Sequence, residues 1–106
     1  MPVEGLGTFV EAANKLAFGS ELYAANRDRL AGTQVLSGTG AVRLGFAFIQ
    51  RFLPAGTNVH FPSPTWPNHI NIANDSSLKF REYRYFDAKT KGVDVTGLLE
   101  DLNKAP

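Results

Sequence analysis

The sequence predicts an α/β fold built on mostly parallel strands. Segments with apolar residues at helical spacing alternate with short runs rich in β-branched and aromatic residues. Turn signals at Gly19-Ser20, Pro54-Ala55-Gly56 and Gly92 fall between those segments. The run Leu36-Ser37-Gly38-Thr39-Gly40 closes a β-like stretch and opens an apolar helix, the form taken by a strand-to-helix turn.

Leu6, Phe9, Val10, Ala13 and Leu16 recur at helical spacing, which predicts an amphipathic helix over residues 5–18. Gly19-Ser20 interrupts it, and residues 22–26 can form a further short helix. Thr33-Gln34-Val35-Leu36 reads as a strand. Residues 39–52 are helical, with Val42, Phe46, Ile49 and Leu53 on one face and Leu44 and Phe48 on the other, so this helix is expected to be buried on two sides. After the turn at Pro54-Ala55-Gly56, residues 58–61 form a short strand, 68–74 a helix and 80–86 an aromatic-rich strand. Asp94 is placed to cap a last helix carrying Val95, Leu98, Leu99 and Leu102, and Lys104 suits its C-terminal turn. No repeat, low-complexity tract or linker is visible, so the chain reads as one domain or part of one. Its ends, Met1-Pro2-Val3 and Ala105-Pro106, look like cuts through a longer sequence.

Composition narrows the function. The 106 residues are 43% hydrophobic and carry a net charge of +1, with a pI near 8.1. Neither nucleic acid nor an anionic membrane is the expected partner of so balanced a chain. No apolar run nears the roughly 18 residues of a membrane span, and no signal peptide is read at the start. The absence of Cys excludes disulfides and thiolate chemistry and fits a reducing compartment. Two histidines without cysteine give no metal-ligand spacing.

Ser37-Gly38-Thr39-Gly40 can act as an anion site, because free N–H groups and the positive helix end converge there while glycines let an anion approach. The same residues also make an ordinary capped turn. The motif is neither a P-loop nor a dinucleotide fingerprint, since Gly-Lys-Ser/Thr does not follow and a third glycine is out of place. Trp66, between prolines, can stack on a flat ring or fill a core, and His69 follows three residues later. His60 lies within a strand and reads as packing. Strand alternation puts Tyr83 and Tyr85 on one face with Arg84 opposite. Arg43 on an apolar helix seeks a buried partner, whereas Glu100 and Asp101 read as a solvated helix face.

Taken together and in order, these residues resemble the aspartate aminotransferases over essentially the whole chain. The resemblance rests on Pro2-Val3-Glu4-Gly5-Leu6 with Phe9 and on residues 34–45 from Gln34 to Gly45. It continues in Ser63-Pro64-Thr65-Trp66 with Asn68-His69, and in Tyr83-Arg84-Tyr85-Phe86-Asp87 leading to Lys91-Gly92. It implies that residues 1–106 are a partial cofactor-binding large domain, an incomplete piece of the three-layer α/β/α architecture of fold type I. It further implies an enzyme that moves the amino group of L-aspartate to 2-oxoglutarate with pyridoxal 5'-phosphate, works as a homodimer and resides in cytoplasm or mitochondria.

By the same resemblance Ser37, Gly38 and Thr39 hold the cofactor phosphate. Trp66 stacks on the pyridine ring and approaches the substrate, and His69 orients the acid that pairs with the ring nitrogen. Pro67 departs from the small or polar residue usual there and is expected to stiffen the loop after Trp66. The Schiff-base lysine, the ring-nitrogen aspartate and the substrate-binding arginines are expected beyond Pro106, so no catalytic residue is assigned within this chain. The strand before Ser37 is expected to be separated from those near Val59 and Tyr83 by later strands. Two rival readings fit the same residues: an inactive remnant that binds a partner, and a small self-contained phosphate-binding module.

Overall fold

A computed structural model describes residues 2–105. The order is α1 (Gly7–Phe18), α2 (Ser20–Ala25), a 3-10 turn (Arg27–Arg29), α3 (Ser37–Phe52), β1 (Asn58–Ser63), α4 (Pro67–Asp75), β2 (Lys79–Arg84), β3 (Phe86–Asp87), β4 (Gly92–Val93) and α5 (Val95–Asn103). The chain divides into two compact units between Gly38 and Thr39.

In the first unit, α1 starts without a side-chain cap of its own. Gln34 replaces it. Its Oε1 accepts the Leu6 N–H at 2.9 Å, while its backbone N–H donates to the Glu4 carbonyl at 2.8 Å. Gly5 between them has φ +95°, and a methyl there would run into the Gln34 side chain, so only glycine serves. At the other end Gly19, with φ +75°, closes α1 by donating to the Lys15 carbonyl at 2.9 Å and turns the chain into α2. Glu11 and Lys15 pair across one turn at 2.9 Å, and the ammonium holds the Glu11 carboxyl below its usual range.

The predicted strand at 33–36 is not formed; residues 30–36 take no regular structure. A strand exists only as part of a paired ladder, and no described strand pairs with this segment.

The second unit is organised by a β1–α4–β2 crossover. β1 and β2 pair in parallel with register Asn58↔Lys79 through Ser63↔Arg84, as the alternating pattern predicts. The crossover helix has modest intrinsic propensity and is held by packing: Ile72 and Ala73 are buried together with Phe61 of β1. Pro67 is the first residue of α4 rather than part of a loop. There its fixed φ matches the helix and its missing N–H breaks no intrahelical bond.

α3 contributes Val42, Phe46 and Ile49, all half-buried, to this core. Burial on two sides is not observed: Leu44 and Phe48 are 45% and 57% exposed. Arg43 finds the partner expected of it, its guanidinium donating to the hydroxyl of Ser76, which is itself buried.

The strand expected over 80–86 ends at Arg84, and a small ribbon missed from the sequence follows. In it Phe86 and Asp87 pair antiparallel with Val93 and Gly92. The Asp87 carboxylate causes the turn, accepting the Lys89 N–H at 2.9 Å and the Thr90 hydroxyl at 2.8 Å. These bonds also hold its pKa below the ordinary carboxylate value. Tyr83 and Tyr85 therefore share no strand face: Tyr83 is half-buried in β2, and Tyr85 lies beyond its end and is 40% exposed.

Asp94 caps α5 as predicted, accepting the Gly97 N–H at 2.8 Å. Lys104 is the residue just past the helix. Glu100 and Asp101 are not merely a solvated face. The Arg84 guanidinium donates to Asp101 through Nε at 3.0 Å and Nη2 at 2.8 Å, and to Glu100 through Nη2 at 2.7 Å. The Arg84 backbone N–H adds a bond to Asp101 at 2.9 Å. A two-toothed guanidinium–carboxylate clamp thus ties the end of β2 to α5.

That clamp carries a pH prediction. The Arg84 side chain, followed by its backbone N–H, holds Asp101 down from 3.8 to about 2. Because the folded value lies below the unfolded one, the stabilisation is complete above pH 3.8 and is lost as pH falls towards 2. In the protein encoded by the complete transcript, acid titration of the urea midpoint is expected to show less loss over that window in Asp101→Asn than in the parent. Equal losses would show that the clamp contributes nothing.

Candidate functional site

The first group of candidate residues sits at the head of α3. A 16-residue helix begins at Ser37 and carries no acidic side chain in its first turn. Its leading N–H groups lack intrahelical partners and its positive end has no carboxylate of the helix's own to meet. Ser37 adopts φ +61°, a left-handed conformation uncommon for a residue with a side chain and one that concentrates at ligand-binding turns. Beside it Gly38 faces open space, with nothing within 4 Å of where a Cβ would stand. Ser37, Gly38 and Thr39 adjoin along the chain at this turn, so two hydroxyls and an approachable backbone lie together in sequence. The chemistry of that donor set suits an oxyanion.

The second group leaves the C-terminal end of β1. Trp66 precedes α4, with backbone φ −66° and ψ 127°, and remains 46% exposed. The structure brings it against His69: the rings meet edge to face, with centroids 5.4 Å apart and planes at 89°. His69 is fixed from two further sides. Thr65 Oγ1 and His69 Nδ1 lie 2.8 Å apart in a hydrogen bond, and the Phe61 ring stacks on the imidazole at 5.4 Å and 14°. Phe61 in turn meets Phe46 at 5.9 Å and Phe80 at 5.6 Å. A rigid aromatic stack thus runs from the core to an indole whose remaining surface is open.

Thr65 and Phe61 were missed as contributors to this group. A hydroxyl four residues before His69 was the legible signal for Thr65; Phe61 carried none beyond its place in a strand. His60 is half-buried in β1. Among the described residues no cluster of three or more His, Cys, Asp or Glu is arranged to hold a metal ion. Among them, too, no helix is long and apolar enough to cross a membrane.

Known proteins share this architecture and sequence. The cytoplasmic aspartate aminotransferase of Dictyostelium discoideum is 42% identical over 106 residues, all of this chain and 24% of that protein. The mitochondrial aspartate aminotransferase P2 of Lupinus angustifolius and the chloroplastic enzyme of Arabidopsis thaliana are each 45% identical over the whole chain and 23% of their own length. The solved cytoplasmic aspartate aminotransferase of Saccharomyces cerevisiae superposes with a TM-score of 0.85 at 36% identity, covering all of this chain and 26% of that one. The chain therefore spans about a quarter of the length of the relatives it matches. The family model for aminotransferase class I and II matches residues 1–106 from end to end, and the chain belongs to that family.

Proposed function

We propose that this chain supplies the phosphate cup and the ring-stacking plate of a pyridoxal 5'-phosphate site. The protein it serves would move the amino group of L-aspartate to 2-oxoglutarate as a homodimer. The observation that carries this reading is the head of α3: a Ser37-Gly38-Thr39 turn, free of acidic side chains and open above Gly38, in a chain of this family. The residues fit the group. Helix N–H groups and the Ser37 and Thr39 hydroxyls match a phosphate dianion, and the open indole of Trp66 matches a flat ring. When bound, pyridoxal phosphate supplies the electron sink for amino transfer.

This chain's own residues hold and orient. Ser37 and Thr39 anchor the phosphate, Trp66 limits tilt of the ring and shields its face, and His69 orients the acid opposite the ring nitrogen. The cytoplasmic, mitochondrial and chloroplastic names of the relatives leave the compartment open among those three.

The test uses the protein encoded by the complete transcript. It is expected to transaminate aspartate with 2-oxoglutarate. Thr39→Val keeps the side-chain shape and removes one donor to a charged oxygen, and is expected to weaken pyridoxamine 5'-phosphate binding roughly ten- to hundred-fold. Trp66→Ala should weaken it about ten-fold through lost stacking and area. Unchanged affinity in both variants would move the cup and plate elsewhere. Absence of transamination in the unsubstituted protein would overturn the activity.

A further inference from the structure

We infer that Pro67 is a positioning residue: it holds the Trp66 indole in its ring-stacking orientation before any ligand arrives. This rests on the cofactor site proposed above and adds how one wall of that site is kept in place. Trp66 is the residue immediately before α4, and its φ −66° and ψ 127° are extended. Clash between a proline ring and the residue before it disfavours the helical region for that residue. With Pro67 at the first helical position, α4 is held from growing back by one residue, a change that would re-aim the Trp66 side chain.

The start of the helix is fixed on its other side by the His69 N–H, which donates to the Trp66 carbonyl at 2.9 Å. The indole edge meets a His69 ring that Thr65 tethers at 2.8 Å and Phe61 stacks at 5.4 Å. Only 6% of Phe61 is exposed, so the ring that Trp66 leans on is joined to the core. Backbone restriction by Pro67 and the ring contact with His69 thus act on the same side chain, which otherwise stands 46% exposed with rotamer freedom to lose.

A ligand that stacks on Trp66 meets an indole already ordered and has less freedom to remove. Relaxing the proline is expected to weaken a ring-bearing ligand and leave a bare phosphate untouched.

The experiment compares the parent protein, expressed from the complete transcript, with Pro67→Ala and Pro67→Gly. 5-Fluorotryptophan is incorporated, and the Trp66 resonance is identified by its loss in Trp66→Phe. Parent protein without ligand is expected to show one ordered Trp66 signal. Both variants should show it shifted towards the free-indole position and narrowed by motion. Affinity for pyridoxamine 5'-phosphate should fall about two- to five-fold, the size of effect expected when a proline's restriction is removed. Affinity for inorganic phosphate should not change.

Pro67→Ala keeps a good helix former at this position, and Pro67→Gly gives a second, independent relaxation. If either folded variant leaves both the Trp66 signal and the affinity ratio unchanged, the inference fails. Equal weakening of pyridoxamine 5'-phosphate and inorganic phosphate would also overturn it, because the damage would then be to the fold. Failure of both variants to fold would make Pro67 a folding residue and reject a positioning role. If the unsubstituted protein binds no pyridoxamine 5'-phosphate, the cofactor proposal falls, while the Trp66 signal still decides whether Pro67 orders the indole.

Discussion

Expressed as these 106 residues alone, the polypeptide is expected to melt broadly, bind a hydrophobic dye at room temperature and self-associate. Among the described residues the buried apolar side chains are Phe61, Ile72 and Ala73, and no large side chain is fully sealed from solvent. Leu16, Phe48, Phe52, Leu99 and Phe86 are each about half exposed or more. Each would contribute about 1.5–3 kcal/mol if fully buried, so the core present is small against the conformational entropy of folding. The sheet worsens the balance. Parallel strands occur almost wholly with both faces covered, yet β1 and β2 form a two-stranded parallel pair. Their outer edges offer unpaired N–H and C=O groups to any other strand. Calorimetry and sedimentation velocity decide the matter: a monomer with a sharp, high-temperature transition would sink this expectation.

In the protein encoded by the complete transcript, Phe61→Ala is expected to cost about 3–5 kcal/mol, a large part of a domain's usual 5–15 kcal/mol. Phe61 is 6% exposed and meets Phe46 of α3, Phe80 of β2 and His69 of α4 at 5.9, 5.6 and 5.4 Å. One ring therefore joins four elements, and surrounding aromatic rings cannot collapse easily into the space it leaves. The substitution also frees one face of His69, so the Trp66 indole should loosen along with the fold. Urea unfolding measures the first effect, with Phe61→Leu expected to cost clearly less because most of the volume remains. A loss below about 1 kcal/mol would show that Phe61 is not the keystone of this unit.

The candidate site was legible in the sequence because its residues act locally. What a hydroxyl- and glycine-rich turn before a helix can offer an anion comes from backbone groups four residues apart at most, and Ser37, Gly38 and Thr39 lie within that reach. The contact of Trp66 with His69 is local in the same way, one helical turn bringing position 69 back towards position 66. Thr65 and Phe61 escaped because their roles depend on where the His69 ring points, which spacing does not specify. The clamp of Arg84 on Asp101 and Glu100 escaped too. Its partners are 16 and 17 residues apart, and nothing in either segment announces the other.

The strand at 33–36 failed for a complementary reason. Extended propensity is local, but a strand is a paired object, and residues 30–36 here take no regular structure. The overlong strand expected at 80–86 shows local chemistry overruling pattern: Asp87 builds a turn through the Lys89 N–H and the Thr90 hydroxyl, and the chain leaves β2 after Arg84.

By itself, then, the sequence determined the order of the longer helices and of strands β1 and β2, the capped start of α5 at Asp94, the hydroxyl- and glycine-rich head of α3 and the family. Each of these depends on neighbours a few residues apart or on an ordered set of motifs. Tertiary structure alone decided which faces are covered, why Phe61 rather than another aromatic is the centre, and how His69 and Trp66 are held. Burial, ring stacking and ion pairing are properties of residues distant in the chain, and only folding brings them within a few ångströms of one another.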